Sequence, residues 1–265
     1  MPFTPSHVVA ILPFVRTPLA PAALALGSMA PDIPYFLPIG PPRELSHSLP
    51  GVPTVDLLIG LVAFVLWVLL LRAPVLDYSP RWLRERMAPA PRWRVRGWVL
   101  TIVLVIAALE LGILTHLFLD LFTHEGGWLE GVLPWTSRHV GPFTIINLIH
   151  GAVSVVTGLI VALWVRRWAL RTARTVRATK LSERARLLTW SVLLAVIAVV
   201  GLAWWVNGIA DGMHPFDTKL MGKAFFIAVA VSGAISVVLA VVWWQRDPAV
   251  RLHKRDLSGG SKPTE

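Results

Sequence analysis

His116, Asp120 and His124 recur at steps of four within THLFLDLFTHEGGW, Thr115–Trp128, at the end of a long apolar run. On a helix each such step turns a side chain by about 40° and lifts it by about 6 Å. The three residues therefore form one gently winding stripe, with His116 and Asp120 side by side. Imidazole and carboxylate are the nitrogen and oxygen ligands that zinc and similar divalent ions take. Two of them at i and i+4 on a rigid helix would preposition such an ion. Polar residues also end membrane helices at the lipid–water boundary with no further task. That accounts for one His or Asp more readily than for three on one stripe.

Three residues earlier in the chain are candidates to join them: His7 in MPFTPSHVVAILPF, Asp32 in GSMAPDIPYFLP and His47 in ELSHSLPG. Asp32 and His47 alone each read as a solvated turn residue, and His7 opens a short helical candidate, His7–Phe14. Glu110 lies about 9 Å deeper on the helix of His116. A carboxylate at that depth is costly and faces the bundle interior or water; a protonated Glu bonded to a neighbouring helix would suffice. Asn147 and His150 open a later apolar run, where a polar helix cap is the simpler reading. His139 reads as exposed, and Asp211, His214 and Asp217 as a solvated turn. There are no cysteines, so thiolate ligands and disulfides are excluded.

The elements that must position these groups are membrane helices. Only 15% of the 265 residues are charged and mean hydropathy is +0.65, whereas soluble domains are about 25% charged. Five apolar runs match the roughly 20 residues a bilayer span needs: Thr54–Leu71, Trp98–Leu121, Ile145–Val165, Leu187–Val206 and Met221–Trp244. The expected fold is an all-α membrane protein of about five transmembrane helices. A broken or re-entrant hairpin should precede them, because Pro13, Pro18 and Pro21 interrupt the first apolar stretch. That start also lacks the basic region of a signal peptide. Residues 1–257 read as a single integral membrane domain, with the hairpin and its loops in 1–53, and 258–265 as a disordered tail.

Net charge is +10, and twenty of the 25 basic residues fall in Arg72–Arg96, Arg166–Arg186 and the tail after Trp244. That segregation is the positive-inside pattern. It sets those three segments in the cytoplasm and argues for anionic lipid headgroups, not nucleic acid, as the partner of the excess charge. The 13 tryptophans, paired at 204/205 and 243/244, read as interfacial anchors. From Trp98 to His116 is about 27 Å of helix, which sets the stripe at the outer boundary. With the N-terminal segment also outside, His7, Asp32, His47, His116, Asp120 and His124 can meet on one face. Six such groups suit one divalent ion, zinc by chemistry, with an outer ring of partners, or two ions sharing carboxylates.

The blocks MPFTPSHVVAILPF, GSMAPDIPYFLP, SHSLPG and THLFLDLFTHEGGW, in this order, resemble the bacterial multi-pass membrane proteins of domain-of-unknown-function family 4184. The likeness is clearest over residues 1–128; beyond that it rests mainly on hydropathy. More distantly, the early His, the G-x-x-x-P-D turn, the T/S-H-S element and the H-x-x-x-D helix are similar to inner-membrane proteins grouped as metal-dependent hydrolases. Those are suspected relatives of zinc-dependent phospholipase C and S1/P1-type nucleases. The more distant resemblance implies hydrolysis of a phosphoester or similar bond on a small-molecule or lipid substrate near the outer leaflet. Glu125 is then the free carboxylate placed to act as base. The competing expectation is a non-catalytic membrane protein, a transporter or partner-binding subunit, whose polar cluster is structural. Only Glu110 is deep in a span and no internal repeat is visible, which weighs against a transporter.

Overall fold

Among the described residues, five stretches are apolar over more length than a bilayer requires, and each folds as a helix. They are Leu49–Tyr78, Trp98–Thr123, Ile145–Arg171, Glu183–Ala210 and Thr218–Gln245, referred to below as spans 1 to 5. The computed structural model describes residues 4–36, 40–87, 97–175 and 179–246. The expected disordered tail, 258–265, lies outside the described residues. Polar residues set the helix starts: Thr144, Ser182 and Asp217 each accept backbone N–H bonds from the first turn of spans 3, 4 and 5. Span 4 ends in a Schellman turn, with Met213 N–H on the Gly208 carbonyl and Gly212 at φ 87°. Among the described residues the only strand pairing is His139–Val140 with Phe143–Thr144, a two-residue ribbon in the loop between spans 2 and 3.

Span 1 runs further than its apolar stretch predicts. The helix continues past Arg72 to Tyr78, through Pro74. A proline there denies the carbonyl four residues back, Leu70, its helical donor. The chain winds in π form over Trp67–Leu71, and the Leu70 carbonyl accepts instead from Trp244 Nε1 at 3.0 Å. Trp243 Nε1 donates to Asp77 Oδ2 at 2.8 Å. This tryptophan pair thus ties span 5 to span 1, rather than serving only as interfacial anchors. Asp77 also faces Arg186, whose Nε donates to the Asp77 carbonyl at 2.6 Å, while the Lys180 N–H donates to Asp77 Oδ2. One buried carboxylate therefore joins spans 1, 4 and 5 at the arginine-rich end.

Residues 4–36 form the hairpin that their prolines predict. Thr4–Phe14 is wound as a 3-10 helix, Pro21–Gly27 is α-helical, and Ala30–Phe36 is again 3-10. Thr4–Phe14 lies against spans 2 and 3, and Pro21–Gly27 against spans 1 and 2. Ile11, Ala23 and Leu24 are buried with Val105, Ala108 and Leu109 of span 2, and Val15 and Leu19 pack on that group. Val105 is about 16 Å of helix below His116, so the exposed turn at Arg16–Pro18 lies well below His116 along span 2, and the chain comes back. Close approach is what admits the hairpin. A Cβ at Gly27 would stand 2.2 Å from the Leu109 carbonyl oxygen, and one at Gly112 would stand 2.3 Å from that of Leu24.

Candidate metal centre

The hairpin returns His7 and Asp32 to the level of His116, and the segment before span 1 adds His47. His7 stacks on His116 with ring centroids 4.2 Å apart, and His47 meets it edge-on at 5.5 Å. All six sequence candidates lie in one cluster, and His7, Asp32, His116 and Asp120 are buried.

Two sub-clusters share Asp120. Its Oδ2 lies 3.6 Å from His47 Nε2 and 3.5 Å from His116 Nε2. Those two nitrogens lie 3.4 and 3.8 Å from Asp32 Oδ1. Four ligand atoms thus form a closed ring with sides of 3.4–3.8 Å. These spacings are longer than hydrogen bonds, which run about 2.7–3.2 Å. Ligands about 2.05 Å from a tetrahedral zinc stand about 3.3 Å apart, close to what is seen. On the other side, Asp120 Oδ1 faces His7 Nε2 at 3.7 Å and His124 Nδ1 at 3.0 Å.

Local bonds fix the histidines. His116 Nδ1 stands 2.9 Å from the Ser28 carbonyl oxygen, which can only accept, so Nδ1 carries the proton and Nε2 presents its lone pair to the ring. His47 Nδ1 is engaged by Ser46 Oγ at 3.0 Å, leaving Nε2 toward the two aspartates. Burial, and then the neighbouring His116, pushes His7 down to about 4, so its imidazole is neutral at physiological pH. His47 Nε2, His116 Nε2 and both Asp120 oxygens are buried with no aligned hydrogen bond. Leaving a buried polar group unsatisfied costs about 1–3 kcal/mol, more when charged. Three of these atoms, His47 Nε2, His116 Nε2 and Asp120 Oδ2, face one ring, and Asp120 Oδ1 faces the other side; cations would satisfy them, so the donor set fits a divalent ion.

Two neighbours were not read as part of this site. Asp56 is fully buried in the first turns of span 1, neither carboxylate oxygen has a partner, and it lies within electrostatic reach of His47 and His116. The signal was present, since a carboxylate opening an apolar run invites the same scrutiny as Glu110. His150 is not the cap of span 3, a role that Thr144 fills. It is buried, with its ring 4.5 Å from that of His124 and its Nε2 unpartnered. Glu110 is only half-buried and stands apart from the cluster. His139 is exposed, and in the spans 4–5 turn Asp217 accepts from Lys219 and Leu220 N–H while His214 Nδ1 accepts from Phe216 N–H. Glu125 is exposed, with Oε1 held at 3.0 Å by both Thr144 Oγ1 and Asn147 Nδ2.

A groove of about 940 Å³ reaches the cluster between the hairpin and span 2. Its polar lining includes Arg43, His47, Asp120, His124 and Glu125; Pro13, Phe14, Leu114 and Phe118 belong to its apolar wall. The arrangement can hold a cation at a fixed point and admit a mostly apolar molecule to it.

No curated protein and no solved structure matches this chain, so the more distant likeness to metal-dependent hydrolases finds no support there. A family model does match, described as a domain of unknown function (DUF4184), over residues 1–245. The agreement runs well past the four motif blocks into the last span, and the chain belongs to that family.

Proposed function

We propose that this protein is a multi-pass hydrolase that uses one or two divalent ions, zinc by ligand chemistry, against a phosphoester bond at the outer face of the cell membrane. The observation that carries the reading is the ring of Asp32, His47, His116 and Asp120, with three of its four side chains presenting buried atoms that no protein group satisfies. A cluster kept only for structure would be expected to bond its polar atoms to one another. Asp32, His47, His116 and Asp120 Oδ2 would hold the first ion; His7, His124 and Asp120 Oδ1 offer a second position. Held there, a divalent ion would supply Lewis-acid chemistry, acidifying a nearby water and polarising a phosphoryl group. The Ser28 carbonyl holds the His116 ring in register, and Ser46 does so for His47. Glu125 lines the same groove outside the ligand set, anchored through one oxygen by span 3, and is assigned as the proton acceptor. The distribution of arginine and lysine sets the cluster on the outer side, with the C-terminus in the cytoplasm.

The test is metal analysis of detergent-purified protein, with melting followed in added zinc and in EDTA. A ligand that binds only the folded state adds about 2.7 kcal/mol at a hundredfold excess over its dissociation constant. Wild-type protein should carry stoichiometric metal and melt lower in EDTA. His116→Ala should carry none and melt alike in both. A wild-type chain that binds no divalent ion, and melts identically with and without chelator, would end the proposal.

A further inference from the structure

We infer that the groove beside the cluster is a lateral binding site for a membrane lipid with a phosphate-ester headgroup. Its chain would lie between the hairpin and span 2, and its phosphate between Arg43 and the cluster. The inference rests on the hydrolase reading for its reaction, and on geometry and charge alone for binding.

The groove is not a well open only to water. Pro13 and Phe14 of the hairpin form one wall, and Leu114 and Phe118 of span 2 form the other. Leu114, Phe118 and Leu121 are 43%, 59% and 46% exposed on the outer end of span 2, where the count from Trp98 sets the edge of the bilayer, so this apolar face opens sideways at that edge. From Leu114 to Leu121 the lipid-facing wall extends roughly 10 Å along the helix axis. The volume, about 940 Å³, is at the upper end of the roughly 300–1,000 Å³ of ligand sites. A water-soluble phosphoester has no use for such a wall; an acyl or polyprenyl chain does.

The polar end supplies the headgroup chemistry. Arg43 is exposed, lies on the same groove as His47, Asp120 and His124, and stands four residues before His47 on a short helix that His47 caps. A guanidinium pairs with phosphate in a bidentate fork, which fixes both place and orientation. A phosphate drawn to Arg43 is thereby presented to the cluster, with the chain trailing into the bilayer. In the reaction, the water oxygen bonds phosphorus as the bond from phosphorus to the lipid alcohol oxygen breaks. Glu125 takes the water's proton and returns one to the leaving alcohol. Water is the only co-reactant, and no oxidation occurs.

The experiment uses the full chain in lipid nanodiscs with two photoactivatable probes, phosphatidic acid and diacylglycerol bearing the same labelled chain. Cross-links are mapped by peptide mass spectrometry, with and without excess inorganic phosphate. Phosphatidic acid should label peptides carrying Pro13–Phe14 and Leu114–Leu121 about tenfold more than diacylglycerol does, the factor that 1.4 kcal/mol represents. Leu114→Trp, which fills the groove from its exposed side, should remove that labelling, and Arg43→Gln should bring the two probes to parity. Labelling spread evenly over all lipid-facing helices, or unchanged in Leu114→Trp, would overturn the lipid site. Phosphatidic acid labelling the groove no more than diacylglycerol does, with inorganic phosphate still bound by Leu114→Trp, would also overturn it, in favour of a soluble phosphoester. Metal content is measured on the same samples. Groove labelling in a chain that binds no metal keeps the lipid site and sinks the hydrolase; metal retained with even labelling does the reverse.

Discussion

Replacing Gly112 by alanine sets two known effects against each other. Inside a helix alanine is favoured over glycine by about 0.8–1 kcal/mol, so propensity alone forecasts a more stable protein. The packing forecasts the opposite. A Cβ on Gly112 would stand 2.3 Å from the Leu24 carbonyl oxygen and 2.7 Å from the Ser28 nitrogen. Both are backbone atoms, so no side chain can rotate out of the way. Restoring an ordinary contact of 3.4 Å to the Leu24 oxygen requires the hairpin and span 2 to part by about 1.1 Å. Overpacking costs about 1–3 kcal/mol, and a clash with unyielding backbone belongs at the upper end. The net expectation is a loss of about 1–2 kcal/mol after the propensity gain.

The same displacement has a second readout. The hairpin carries His7 and Asp32, and span 2 carries His116 and Asp120, so a shift of about 1 Å falls across the ligand ring. Metal sites tolerate about 0.2 Å in ligand distance, and lesser outer-partner losses already cost about 10–100-fold in affinity. Gly112→Ala should therefore weaken zinc binding by at least about that factor. Gly158→Ala in span 3 is the control, because its Cβ would meet nothing within 4 Å. Thermal unfolding in detergent, followed by tryptophan fluorescence, and zinc titration of both variants make the comparison. If Gly112→Ala melts at or above Gly158→Ala and binds zinc like wild type, the close-approach argument is wrong.

Asp77→Ala removes the acceptor of the buried Trp243 indole and of the Lys180 N–H, while Arg186 keeps Glu183 and the Leu181 and Asp77 carbonyls; it should cost about 1–3 kcal/mol in unfolding experiments while leaving metal content unchanged. A cysteine at Ser137 should react with an impermeant thiol reagent in intact cells and one at Ser258 should not; labelling at Ser258 alone would invert the topology. Cysteines replacing Pro2 and Gly40 should react from the same side, as the returning hairpin requires, and opposite accessibility would turn the N-terminal segment into a sixth crossing. Glu125→Gln should retain metal and lose turnover, so parallel loss of metal would make Glu125 a ligand.

The fold was legible wherever apolar length decides the outcome. Runs of about 20 apolar residues have few alternatives to a membrane helix, and the prolines at 13, 18 and 21 left the hairpin little choice but to turn back. What escaped were features set by partners distant in sequence. Span 1 continues through Pro74 because Trp244, 174 positions away, supplies the Leu70 carbonyl with a donor. The ribbon at His139–Thr144 holds two residues a side, too short for any periodic pattern to signal.

Legibility of the candidate site differs between the two ends of the bundle for a related reason. At the end carrying His116 the sequence is poor in charge, so each His or Asp there stands out and invites the question of what it serves. Asp56 belonged to that set and was passed over only because the run around it was read as a span. At the other end arginine is abundant, and positive-inside bias explains it without further structure. That sufficient explanation concealed Asp77 and Arg186. Arg186 is 3% exposed and Asp77 7%, so the pair is a buried joint in a region whose composition advertises only a solvated surface. Arg43 is the converse. Among the few basic residues of its end it looked incidental, and it acquires meaning only once His47, Asp120 and His124 are found lining the same groove. Charge statistics sort residues by side of the membrane; which of them act together depends on where the hairpin returns the chain.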